Sequence, residues 1–140
     1  GTVCARPPDP LEHPCEMDLR VLPDGPGFRI SQRLGPMAKG CRLDAGVIET
    51  IASAVEARLP GADLLIVNKF GRREAHGRGL YPAIAMAIEM GIPTLVGVNK
   101  MSIPAFNSLS GDMAEPLPPE LCAVRRWYER MQRSLGPVAV

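Results

Sequence analysis

Two short apolar runs, Leu64-Leu65-Ile66-Val67 and Pro93-Thr94-Leu95-Val96-Gly97-Val98, constrain this chain more than any other feature. A continuous apolar run bounded by turn residues reads as a strand buried on both faces. Between the two runs lies a helical stretch from about Leu80 to Met90, with Pro82 tolerated in its first turn and Gly91 as its stop. Strand, crossover helix and strand at this separation make a βαβ unit, which implies a parallel sheet with a right-handed connection. A further helix is expected over about 45–59, with Val47, Ile48, Ile51, Ala54, Val55 and Leu59 on one face. Asp44 is its natural N-cap and Pro60-Gly61 its end. The fold class is α/β.

The flanks are less regular. Gly1 to Ala5 reads as the end of a strand and runs into a turn rich in proline (Pro7, Pro8, Pro10, Pro14). Leu19 and Val21, then Phe28 and Ile30, recur at period two around Pro23 to Gly27, the pattern of a β-hairpin with a long loop. After Asn99 the periodicity weakens until Pro118-Pro119. There a last amphipathic helix begins, with Leu121, Val124, Tyr128, Met131 and Leu135 on its stripe and Trp127 beside it. No internal repeat interrupts what reads as a single α/β domain over 1–140.

Composition removes several function classes. The 16 basic and 15 acidic side chains leave a net charge of +1, too little for a protein that holds nucleic acid by bulk charge. No apolar run approaches the ~20 residues that span a membrane, and no secretory signal opens the chain, so the expected location is the cytoplasm. The four cysteines, Cys4, Cys15, Cys41 and Cys122, contain no C-x-x-C pair. Cys4, Cys15 and Cys41, with His13, form a weak candidate set for a soft metal; the plainer reading makes Cys41 and Cys122 small buried hydrophobes. No cofactor is indicated.

The segment Asn68 to Gly79 could carry chemistry. Ligands of open α/β sheets bind outside the carboxyl ends of the strands, and this segment lies there, before a helix N-terminus. It carries Asn68, Lys69, Gly71, Arg72, Arg73, Glu74, Gly77 and Arg78. Glycines admit backbone N–H groups to an anion, and a helix N-terminus and arginine forks add positive charge. The expected ligand is a small oxyanion or a nucleotide phosphate. The plainer alternative is a solvated loop in which Glu74 pairs with an arginine. A secondary polar site is expected at Ser31, Gln32, Cys41 and Arg42, although Asp44 beside it reads as a cap. His13 and His76 lie in predicted loops with no partner nearby in sequence, which argues against a hydrolase triad. No Walker A sequence is present.

Four segments together resemble a bacterial family, domain-of-unknown-function family 2478. They are Cys15-x-Met17-Asp18-Leu19-Arg20, Ile30-Ser31-Gln32-x-Leu34-Gly35, Gly40-Cys41-Arg42-Leu43-Asp44, and the long stretch Asp63 to Leu80. The resemblance implies kinship with P-loop nucleoside triphosphatases, in particular small nucleotide phosphatases, and an association with molybdate transport and molybdenum enzymes. It also implies that the chain opens at the family's second strand, so that a first strand, a loop and a helix would precede it. The sheet edge left open would then invite a second copy. The phosphatases end the strand matching Leu64–Val67 in Asp-Glu-x-Gly, where this sequence has Asn68-Lys69-Phe70-Gly71. Both acids that serve Mg²⁺ are replaced, while Glu74 matches a later structural glutamate. The implied activity is therefore non-hydrolytic binding. A triphosphatase or phosphotransferase is the enzymatic alternative and would need a Walker A loop before Gly1. A module docking to a molybdenum enzyme or transporter through the last helix (Trp127, Tyr128) is the third.

Overall fold

The computed structural model describes residues 2–5, 18–25, 27–29 and 45–134. Strands β1 (Thr2–Ala5), β2 (Asp18–Val21) and β3 (Gly27–Arg29) form an antiparallel sheet in that order, with Thr2 opposite Val21 and Leu19 opposite Phe28. The expected hairpin is β2–β3, and β1 adds a third strand to it. Strands β4 (Leu65–Phe70) and β5 (Thr94–Val98) pair in parallel, Leu65 opposite Thr94. β1 lies beside β4.

Five helices accompany these strands among the described residues: α1 (Ala45–Glu56), α2 (Arg72–Ala75), α3 (Tyr81–Glu89), α4 (Ile103–Ser110) and α5 (Leu121–Ser134). A 3-10 turn, Lys100–Ser102, precedes α4. The apolar periodicity of α1 and α3 explains their packing. Ile48, Ile51, Ala52 and Val55 of α1 meet Ala83, Ile84 and Ala87 of α3 and Leu65, Val67 and Phe70 of β4 in one core. Pro82 stands in the first turn of α3, where its missing N–H costs no bond.

Several expectations need correction. β4 runs on through Phe70, two residues past Asn68, and the segment after it contains the four-residue helix α2 instead of continuous loop. Burial along β4 alternates (Leu65, Val67 and Phe70 buried; Ile66 half-buried), and most of β5 is half-buried. Among the described strands β5 pairs with β4 alone. Helix α4 fills a stretch where the sequence pattern had faded. On α5 the buried side chain is Trp127, whereas Leu121 is 77% exposed. Cys122 is exposed and is no buried hydrophobe: five residues before Trp127, it is turned well round α5 from that buried position at about 3.6 residues per turn. Asp44 and Ile30 lie outside the described residues.

Candidate functional site at the carboxyl end of β4

The site begins with an irregularity. Val67 pairs with Val96 and Phe70 with Val98, so Asn68 and Lys69 on β4 share the span of Gly97 on β5. This is a bulge, and bulges re-aim side chains beside functional sites. Gly97 permits it: a Cβ there would fall well inside contact distance of the Asn68 carbonyl oxygen. Asn68 and Lys69 are both exposed, while Phe70 turns inward and stacks edge-on against Phe106 of α4, ring centres 5.2 Å apart.

The chain then folds around Glu74. This carboxylate is 7% exposed and accepts two backbone hydrogen bonds. Gly71 N–H donates to Oε2 at 3.0 Å and Leu80 N–H to Oε1 at 3.2 Å. The first bond ties the N-cap of α2 to its third helical residue; Gly71, without a side chain, gives no bond in return. The second places a carboxylate at the N-terminus of α3, where the helix dipole favours negative charge. Glu49 of α1 accepts the N–H of Gly79 at 3.4 Å. Gly77 N–H donates to the Glu74 carbonyl, Arg78 N–H to the Arg73 carbonyl and Tyr81 N–H to the Arg78 carbonyl. His76 Nδ1 lies 2.6 Å from the Arg72 carbonyl oxygen. Gly79 has φ +58°, and a Cβ there would collide with Glu74 Oε1, so glycine is what lets the carboxylate close the turn.

The turn therefore directs its N–H groups inward. The acid expected to pair with an arginine instead serves the backbone. What faces solvent is cationic: Lys69, Arg72 and Arg78 are exposed and Arg73 is half-buried. The ion pairs among the described residues are Arg58 with Asp24 (3.4 Å) and Arg130 with Glu115 (2.6 Å), and none of these four cations belongs to either.

A cavity of about 220 Å³ lies at the opposite, amino end of β4. Leu22, Val55, Leu59, Leu64 and Ile66 give it apolar walls, and Arg58 is the charged side chain among the described residues that line it. No group of three or more potential metal ligands occurs among the described residues. Cys4 lies on β1, while His13, Cys15 and Cys41 fall outside the described residues, as do Ser31, Gln32 and Arg42 of the secondary polar site. No described helix is long and apolar enough to cross a membrane.

The model of the family "Protein of unknown function (DUF2478)" matches residues 1–127. The chain belongs to the DUF2478 family. The bulge, the Glu74 turn and all four cations lie within the DUF2478 match. The chain is also similar to the molybdenum import ATP-binding protein ModC 2 of Bradyrhizobium diazoefficiens, with 33% identity over 126 residues. That alignment takes in 85% of this chain but 14% of the relative, so the chain spans about a seventh of that protein's length. No solved structure matches.

Proposed function

We propose that this DUF2478 chain binds an oxyanion, free or as a nucleotide phosphate, at the outward face of residues 68–79, and that the binding serves molybdenum handling. One observation carries the reading: four cations stand at the carboxyl edge of a parallel strand, and none has an ion-pair partner among the described residues. Lys69 and Arg72 are the principal contacts, with Arg73 and Arg78 behind them and Asn68 as a neutral donor. Gly71 and Gly77 shape the turn, and Glu74 holds it from inside. The relative's name supports the molybdenum link, since molybdate is itself a tetrahedral oxyanion. Binding without hydrolysis follows from the bulge, where Asn68 and Lys69 offer Mg²⁺ no carboxylate.

Titration calorimetry with molybdate, tungstate, phosphate and ATP tests the reading. At least one of these should bind, and Lys69→Ala together with Arg72→Ala should abolish the signal. A folded chain silent toward all four refutes it.

A docking role is the second reading, favoured by the relative's architecture: there this segment is 14% of a longer polypeptide. Trp127 is buried and so unsuited to contact a partner, whereas Met101, Leu109 and Met113 are exposed apolar side chains near α4. Capture of a molybdate transporter component by the wild-type chain, lost on Met101→Asp, would support it; capture unaffected by Met101→Asp would count against that surface.

A further inference from the structure

The two parallel strands carry the same tripeptide toward their carboxyl ends, inside β4 and running past the end of β5. β4 reads Val67-Asn68-Lys69 near its end, and β5 runs into Val98-Asn99-Lys100. Because the strands are neighbours and parallel, both lysines emerge at the same edge. The second emerges from a fixed turn: Asn99 Oδ1 accepts the N–H of Ser102 at 2.9 Å and its carbonyl accepts it at 3.0 Å. Helix α4, which follows directly, packs against α2, which opens with Arg72. Lys69 and Arg72 thus stand on two elements that pack together, and Lys100 stands on the turn that leads into α4, itself packed against α2. Lys100 is exposed and in no ion pair with a described residue. No Asp or Glu occurs in residues 64–73 or 97–111; the first acid after β4 is Glu74, which is buried and already accepts the N–H groups of Gly71 and Leu80.

We propose that Lys100 is the second anchor of the oxyanion site, and that the ligand is a free tetrahedral dianion bridging the two strand ends without a divalent metal. This rests on the anion-binding reading above. The N–H groups of Gly71, Gly79 and Leu80 are spent on the chain's own carboxylates, which leaves the exposed side chains as the main source of positive charge. Two ammonium groups match a dianion in charge, and each forms charge-assisted hydrogen bonds to its oxygens. A magnesium nucleotide would bring its own counter-charge and would need carboxylates that the strand ends lack. Molybdate and phosphate share the required chemistry, and the experiment separates them.

The test is calorimetry at low ionic strength on the full chain, with sodium molybdate and sodium phosphate as probes, with and without Mg²⁺. Lys69→Ala and Lys100→Ala are compared with Arg125→Ala, an exposed cation on α5. The tighter of the two probes identifies the anion. Lys69→Ala and Lys100→Ala should each weaken it about tenfold, Arg125→Ala should leave it unchanged, and Mg²⁺ should not improve it. If Lys69→Ala loses binding and Lys100→Ala does not, the bridging inference fails while the anion-binding reading stands. A wild-type chain that binds neither probe overturns the bridging inference, and silence toward ATP as well overturns the anion-binding reading. Equal loss in all three variants, or a requirement for Mg²⁺, overturns the inference by showing bulk electrostatics or metal-assisted binding.

Discussion

The two ends of β4 are opposites. At the amino end an apolar cavity of about 220 Å³ has shape, with Arg58 as the charged side chain among its described lining residues. Arg58 is already engaged, donating to the Ala54 carbonyl at 2.9 Å and to Asp24 at 3.4 Å. At the carboxyl end exposed cations surround a turn that a buried carboxylate closes. Concavity and reactive chemistry usually coincide in a binding site; here they stand at opposite ends of one strand. A ligand chosen by shape would go to one end and a ligand chosen by charge to the other. The absence of acids at the bulge and the inward-turned backbone both favour the charged end.

Substitutions can break this contrast at its strongest point first. Glu74→Ala leaves the buried Leu80 N–H and the half-buried Gly71 N–H without their acceptor and should cost about 3 kcal/mol, at roughly 1–3 kcal/mol for each orphaned donor partly relieved by water. Urea denaturation reads it, and Glu74→Gln, which keeps one acceptor oxygen, should lose about half as much. Gly79→Ala acts on the same turn from the other side. It forces a Cβ into a positive φ and onto Glu74 Oε1, and should cost about 2 kcal/mol. Equal stability of Gly79→Ala and wild type would show that Glu74 does not close the turn. Arg58→Ala at the amino end should change stability by less than about 1 kcal/mol, because its partner Asp24 is largely exposed. An effect there as large as that of Glu74→Ala would reverse the ranking of the two ends.

Much of the fold was legible because its core is periodic. The apolar face of α1, the helix that opens around Pro82 and the existence of the two strands follow from spacing alone, and the β2–β3 hairpin follows from period two. The family assignment rested on the same stretch, where Asp63 to Leu80 carries the most specific residues. What was missed follows from local bonding that composition does not display. Glu74 stands three residues after Gly71, where it can accept the Gly71 N–H, but glycine at that position gives only half of the sequence signal for such a bond. Ile103, Phe106 and Leu109 recur at helical intervals behind Pro104, enough to announce α4. Trp127 stands three residues after Val124 and four before Met131, so it shared the stripe it was placed beside. The bulge at Asn68-Lys69 had no sequence signal except Gly97 across from it, and a glycine inside a strand is a weak one.

The most direct test of the central claim is a titration of the isotopically labelled chain with molybdate, followed through backbone amide resonances. The account predicts that Lys69, Arg72 and Lys100 shift together and saturably, while Leu22, Leu59 and Leu64 around the cavity stay in place. Shifts centred on the cavity residues, with the strand ends unmoved, would contradict it.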